Sequence, residues 1–380
     1  MNNKVYITRI SKFLPNAPVS NDDMEAYLGM INGHPSRARR IILKSNGIKS
    51  RYYALDTTGR VTHTNVEMAA NAVKALYGQG FSANDIELLA AGTASPEQLL
   101  PSHGVMIHGK LEGAKNAEVV SFAGSCCTGI QALKYGWMSL LTGVKNNAVC
   151  VGSERMSPWM RAHYFDGEAE KLSQLEKHPM LAFEKEFLRW MLSDGASALL
   201  LQTEPAKEGL SFRVEWIDLC SYAHIRETCM YAGAEKDESG ELHGWTSFSE
   251  TEWLSGSIFS LKQDTRQLGD NITQLGGQFF KETLEKRQLR TDEIDWFLPH
   301  LSSMFFKDKV MNEMTDLGYP IAEEKWFVNL PTVGNVGSAS NFLGLEELSR
   351  SGKLKQGQKI LLMTPESARF SYGYTLLTVC

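Results

Sequence analysis

The sequence repeats itself at long range, and this repeat limits the folds open to it more than any other feature. Ile86 opens an apolar run, IELLAAG, that returns as IDWFLPH from Ile294. Cys127, just before the periodic pattern TGIQAL, corresponds to Asn335, just before SASNFLGLEEL, and Gly143 corresponds to Gly352. The members of each pair lie about 208 positions apart, which points to an internal duplication. VEMAANAVKALYGQG (66–80) predicts a helix ending at glycine, IELLAAG (86–92) a buried strand, Thr128 to about Leu141 a helix closing at Gly143, and NAVCVGSE (147–154) a second buried strand. The later series is ITQLGGQFFKETLEKRQL (272–289) as helix, IDWFLPH (294–300) as strand, SASNFLGLEELSRSG (338–352) as helix and KILLMT (359–364) as strand. Alternation of this kind is α/β. The expected halves are 1–205 and 206–380, with the boundary near 203–210, after the strand SALLLQTE. A pseudo-twofold axis between them would bring the helix starts at Cys127 and Asn335 to one central site. Residues 156–190 and 225–265 break the symmetry and are expected to be caps over that site or surface elaboration.

Composition removes several classes of function. A net charge of −5 and a pI near 6.0 argue against a general nucleic-acid binder. No apolar run approaches a membrane span, and the start, MNNKVYITRISKFLP, alternates like a strand rather than a signal peptide. The cysteines Cys126, Cys127, Cys150, Cys220, Cys229 and Cys380 fit neither a disulfide framework nor a zinc site, so a reduced cytoplasm is the expected location. His103 and His108 lack metal-ligand neighbours and are read as structural, and no metal or cofactor is expected.

The chemistry concentrates in three short stretches. Cys127, in SFAGSCCTGIQAL, stands at a helix start, where free N–H groups and the macrodipole favour a thiolate and could also hold a thioester oxyanion. The small residues Ala123, Gly124, Ser125 and Gly129 would let a substrate approach the backbone. The alternative for a lone cysteine is a small core hydrophobe. Cys126 adjoins it and is expected to pack behind the site, because the C-x-G spacing selects Cys127. His300 follows Pro299 at the end of a buried strand, where α/β proteins place chemistry, and a neutral imidazole there could donate one N–H to a thioester or enolate. Asn335 lies next to Gly334 before a helix; taken alone it would be a turn residue, but as the duplicate of Cys127 it becomes a second carbonyl donor. Two carboxylates are candidate bases: Glu97 on the loop GTASPEQLLPS, otherwise a solvated glutamate, and Glu154 at a strand end beside Arg155, otherwise a structural ion pair.

Together these motifs resemble the β-ketoacyl-acyl-carrier-protein synthase III family. SNGIKSRYYA (45–54) is similar to its TGI-x-x-R segment, Cys127-Thr128-Gly129-Ile130 to its nucleophile elbow, Ser193–Ala198 to its GDGA-A turn, Leu298-Pro299-His300 to its PH motif and Gly334-Asn335 to its GN motif. The resemblance implies a thiolase-like duplicated five-layer αβαβα fold and a homodimer. In it Cys127 accepts an acyl group while His300 and Asn335 stabilise an enolate. Its thioester partners would ride on acyl-carrier protein or coenzyme A. Lys44, Lys49 and Arg51 could meet an acidic carrier or be ordinary solvated cations. One departure is a missing Gly-Gly-Gly run near the C-terminus, replaced by Pro365-Glu366-Ser367-Ala368-Arg369-Phe370, which leaves the second oxyanion donor unassigned. The tryptophan usual at the coenzyme A entrance is also not evident before Gly47.

Within the family the whole sequence, including ISKFLPNAPVSNDDMEAYLG, looks most like the ketosynthases that build dialkylresorcinols and bacterial stilbenes. These join a β-ketoacyl thioester and a second acyl thioester into a 2,5-disubstituted cyclohexane-1,3-dione. Branches that join two long acyl chains use a glutamate at the place of Glu97 as a base, reaching the partner subunit. The rival readings are a synthase III making a linear β-ketoacyl product, and a non-catalytic ketosynthase-like partner.

Overall fold

A computed structural model describes residues 4–36, 38–164 and 187–380; the middle of the 156–190 segment lies outside the described residues. Nine strands form one sheet: β1 (Tyr6–Phe13), β2 (Leu88–Thr93), β3 (Glu118–Ala123), β4 (Asn147–Glu154), β5 (Gly195–Gln202), β6 (Phe212–Ser221), β7 (Trp296–Pro299), β8 (Lys359–Glu366) and β9 (Ser371–Val379). In the first half the order is β1-β5-β4-β2-β3, with β2 parallel to both β3 and β4 and with β4, β5 and β1 successively antiparallel. The second half repeats this as β6-β9-β8-β7, antiparallel until the parallel pair β8–β7. The counterpart of β3 shrinks to a single parallel bridge between Phe297 and Trp326. The half-sheets join where Tyr6 and Ile7 pair with Arg213 and Phe212.

The helices divide into layers because β2, β4 and β5 are apolar on both faces, and such strands need cover on both sides. Helix α1 (Asn65–Lys74) covers the outer face of the first half, packing Met68 and Ala72 with Leu89, Val149 and Leu200. Helices α3 (Thr265–Arg287) and α4 (Phe305–Asp316) cover the second, where Phe280, Leu284 and Met314 meet Phe297, Leu361 and Tyr374. Between the half-sheets lie α2 (Thr128–Leu141) and α5 (Ser340–Arg350), in one apolar cluster that takes Ile130, Leu133 and Leu199 from the first half and Phe342, Leu345 and Leu377 from the second. This is the expected αβαβα arrangement.

The two central helices start almost in contact. A Cβ on Gly129 would lie 2.1 Å from the Ser338 carbonyl oxygen, and one on Gly152 would lie 2.6 Å from the same atom. The glycine of the C-x-G spacing is therefore required by the crossing of two helix starts. That differs from the expectation that it clears a path for substrate, and Ala123 and Gly124 are the exposed small residues of the stretch.

Helix α2 and strand β4 coincide with their expected spans, whereas other ends move. Helix α1 stops at Lys74 rather than running on to 80, because Gly78, Gln79 and Gly80 all take positive φ in a turn that closes on Phe81. Helix α3 starts earlier than 272, at Thr265, where Asp264 Oδ1 accepts the Gln267 N–H at 2.8 Å. Strand β8 continues past Thr364 to Glu366, which pairs with Ser371. Among the described residues no helix is long and apolar enough to cross a membrane.

Candidate active site

The start of α2 faces the end of β8. Cys127 stands immediately before α2, and its carbonyl accepts the Gln131 N–H at 2.9 Å. Its Sγ donates to the Thr364 carbonyl at 3.4 Å, and its N–H donates to Glu366 Oε2 at 3.0 Å. The residue is only 1% exposed, and burial pushes its thiol well above the usual range, with the Glu366 carboxyl adding to the effect. Cys126, expected to pack behind the site, is instead the half-buried member of the pair, and burial pushes its thiol up to about 12.

His300 leaves the end of β7 with its N–H on the Met363 carbonyl at 2.8 Å. Burial lowers its imidazole to about 4, so at neutral pH the ring is uncharged and carries one N–H. Asn341, on α5, fixes the strand ends below it. Its Nδ2 reaches the carbonyls of Leu298 (3.0 Å) and Met363 (3.3 Å), while its Oδ1 accepts the Thr364 hydroxyl at 2.7 Å. Asn335 follows Gly334, whose φ of 76° favours glycine and whose Cβ would meet the Ser193 side chain at 2.8 Å. The Asn335 backbone exchanges hydrogen bonds with Met191 and Ser193, and its Oδ1 accepts the Gly337 N–H at 2.9 Å. That commits the side-chain oxygen to the backbone.

His300, Asn335 and Cys126 line one cavity of about 580 Å³, together with Met156, Leu188, Met230, Leu261 and Gln263. Both expected caps therefore contribute to its wall, through Met156 and Leu188 of one and Met230, Leu261 and Gln263 of the other. A second cavity of about 490 Å³ opens on the other side of His300, between α3, α4 and β9, and is walled by Phe306, Val310, Met314, Met363, Tyr372 and Tyr374. His300, Ser302, Ile272 and Pro365 belong to both.

The two candidate carboxylates lie elsewhere. Glu154 is fully buried and acts as a clamp between halves, accepting from Ala94 N (3.0 Å), Ser95 Oγ (2.7 Å) and Thr93 Oγ1 (3.3 Å) on one side and from Ser338 N (3.2 Å) on the other. Burial raises its carboxyl, against which these bonds pull down. Arg155 does not pair with Glu154; it reaches Glu97 Oε1 at 2.7 Å. Glu97 is thus held by an ion pair on its loop, away from the walls of both cavities, rather than free in solvent. Asp194, in the turn matched by its GDGA-like motif, is another buried acceptor. It takes the N–H groups of Ala54 (2.7 Å), Met156 (2.7 Å) and Ser157 (2.9 Å), fixing the loop that carries Met156 into the cavity.

Known proteins resemble this chain in sequence and in fold. The family model described as 3-oxoacyl-[acyl-carrier-protein (ACP)] synthase III C terminal matches residues 284–379, the stretch that carries His300, Asn335 and Glu366. Over 375 residues the chain is 24% identical to the beta-ketoacyl-[acyl-carrier-protein] synthase III of Chlorobaculum tepidum, covering 98% of this chain and 97% of that protein. It is 25% identical over 352 residues to the enzyme of the same name from Clostridium perfringens, covering 92% of each. The chain is an acyl-transferring condensing enzyme, similar along its length to the ketosynthases III. Its fold is shared with the tetronic acid condensing enzyme AbyA1 (TM-score 0.75, 20% identity, 98% and 99% of the two chains). Xanthomonas campestris OleA has it too (TM-score 0.75, 18% identity, 100% and 99%). Against that background the ketosynthase has a residue that motif reading left without a role. Glu366 belongs to the stretch that replaces the glycine run, and it neighbours Cys127 because β8 runs two residues further than its apolar pattern.

Proposed function

We propose that this ketosynthase joins a β-ketoacyl thioester to a second acyl thioester through an acyl-Cys127 intermediate, then closes a 2,5-disubstituted cyclohexane-1,3-dione with loss of carbon dioxide. The observation that carries this reading is the pair of largely apolar cavities meeting at His300, since two chains must reach one carbon–carbon bond. In this scheme Cys127 takes the first acyl group. The carbanion of the β-ketoacyl partner, held by the His300 N–H and the Asn335 amide, displaces the Cys127 thiolate. Dividing acyl transfer into two steps is what the covalent intermediate contributes. For that ring the acyl group on Cys127 must be a 2-enoyl group: its carbonyl carbon takes the γ-carbon of the β-ketoacyl chain as Cys127 leaves, its β-carbon takes the α-carbon by conjugate addition, and hydrolysis of the remaining thioester frees the carboxyl that is lost as carbon dioxide. Glu97, freed from Arg155, and Glu154 are the candidate carboxylates for removing the α-proton, and the four donors around Glu154 suit it better to holding the two halves together.

A homodimer belongs to the same reading. Strand β3 is an edge of the sheet, and the loop bearing Glu97 presents Leu99 and Leu100 at 75% and 85% exposure. A second copy paired along β3 would cover them and bring Glu97 to its neighbour. Carrier protein or coenzyme A would deliver the thioesters.

The two sequence relatives named above, from Chlorobaculum tepidum and Clostridium perfringens, are both β-ketoacyl synthases III, which favours a linear β-ketoacyl product as the second reading. Mass spectrometry of the products decides between them. The purified enzyme given a β-ketoacyl thioester and a 2-enoyl thioester is expected to yield the cyclic dione. Production of a linear β-ketoacyl thioester only, and only from a malonyl thioester, would establish the second reading. Loss of all acylation in Cys127→Ala is expected, and a product-forming Cys127→Ala would remove Cys127 from the scheme. A wild-type enzyme that traps no acyl group would point to the non-catalytic partner.

A further inference from the structure

Two acidic groups share the first turn of α2. The unpaired N–H groups and the dipole of a helix start stabilise one negative charge there. The thiol of Cys127 is one claimant, and the other is the carboxyl of Glu366, whose Oε2 already sits on the Cys127 N–H at 3.0 Å. Burial raises both groups, and the carboxyl raises the thiol further, so the pair holds one charge more readily than two. The charge therefore rests on the carboxyl in the free enzyme, and the thiol keeps its proton. Among the hydrogen-bond partners of Cys127 in the described residues, the Glu366 carboxylate is the one group basic enough to take that proton. Its Sγ donates to the Thr364 carbonyl, which is not a base, and burial makes the His300 ring a very weak one.

We propose that Glu366 is the general base and then the general acid of acyl transfer to Cys127. The inference rests on the reading of Cys127 as acyl acceptor. The Glu366 carboxylate takes the proton from Sγ, and the sulfur lone pair forms a bond to the thioester carbonyl carbon. The carbon–sulfur bond of the donor thioester then breaks, and the departing thiolate takes the proton back from the Glu366 carboxylic acid. The acyl group has moved from one thiol to another, and Glu366 is again a carboxylate. Accepting the proton also loosens the carboxyl from the Cys127 N–H, which becomes available to the carbonyl oxygen of the acyl group at the moment negative charge develops on it. In a chain that lacks the glycine run at this place, one side chain thus serves as base, as acid and as the cover that opens the oxyanion site.

The test measures the Cys127 reaction apart from condensation. Iodoacetamide and a medium-chain acyl-coenzyme A are reacted separately with wild-type enzyme, Glu366→Gln and Glu366→Asp between pH 5 and 10. Labelling is followed by intact mass and assigned to Cys126 or Cys127 by fragmentation. General-base assistance contributes roughly 10²-fold or more, so at neutral pH Glu366→Gln is expected to label about 100-fold more slowly with either reagent. Its rate should then climb about tenfold per pH unit as hydroxide forms the thiolate, where the wild-type rate levels off once Glu366 is ionised. Glu366→Asp should keep the levelling-off at a reduced rate, and it decides the matter alone if the glutamine variant does not fold. Wild-type rates and pH dependence in the variants would overturn the role of Glu366 while leaving acyl-Cys127 intact. Acylation on Cys126, or none on either cysteine, would instead remove the reading on which the inference stands.

Discussion

Asn335 shows how little freedom a residue in this site has. Its Oδ1 is committed to the Gly337 N–H and its backbone to Met191 and Ser193, so the two amide hydrogens are what it can offer a substrate. Asn335→Asp preserves the shape and turns a donor into an acceptor. Condensation is expected to fall by about 10²- to 10³-fold, the cost of losing one oxyanion-type donor, while acylation of Cys127, followed by intact mass, stays within a few-fold. The buried histidines give a second residue-scale expectation. His300 and His103 are both held to about 4 by burial, below the value each regains on unfolding. Above pH 6.5 neither binds a proton in either state. Between pH 6.5 and 4 only the unfolded chain does, so stability is lost as the pH falls through that window, by on the order of 3 kcal/mol per histidine. Urea titrations at pH 7 and pH 4.5 should show the loss, and His103→Asn should reduce it. Cys127, His300 and Asn335 were legible as candidates because each sits in a short motif with its own punctuation. Glu366 was not, because its partner lies 239 positions away and nothing local marks a strand-end glutamate as facing a thiol.

At the level of elements, agreement between sequence and structure follows the strength of the local signal. Helix α2 and strand β4 end where the apolar pattern ends, since glycine or polar residues break it sharply on both sides. Helix α3 reaches back over a polar turn that periodicity cannot detect and an aspartate cap can hold. The crossing of α2 and α5 was invisible in the same sense: Gly129 reads as a small residue that lets a substrate approach until Ser338 is seen against it. Gly129→Ala must push the two helix starts apart. A loss of about 1–3 kcal/mol or more is expected from overpacking, read as a drop in Tm, together with a loss of activity larger than the unfolded fraction explains. An unchanged Tm would mean the helices can separate without cost. The Glu154 clamp belongs to the same junction. Glu154→Ala leaves the buried N–H groups of Ala94 and Ser338 without their acceptor, at about 1–3 kcal/mol for each unsatisfied group, and its Tm should fall further than that of Glu154→Gln.

For the molecule as a whole, the duplication was the strongest reading available, and the fold follows it strand for strand except where the partner of β3 is reduced to one bridge. That difference leaves β3 as the longer free edge, which is where the second copy is proposed. The pair of substitutions Leu99→Asp and Leu100→Asp is expected to give a monomer by light scattering, with the Tm little changed and condensation lost if Glu97 acts across the interface. A dimer that survives both changes would place the contact elsewhere.

The apolar layer around α2 and α5 has a further consequence for how the chain could be taken apart. Its side chains come from both halves, yet the connection between those halves, around 204–210, runs along the surface and is mostly exposed. The chain's continuity is therefore in one place and its cohesion in another. Severed in that connection, the two pieces would each expose one side of a core built for two, and each should be insoluble when made alone. Produced together, they should find one another without a covalent tether and recover a working site from separate polypeptides.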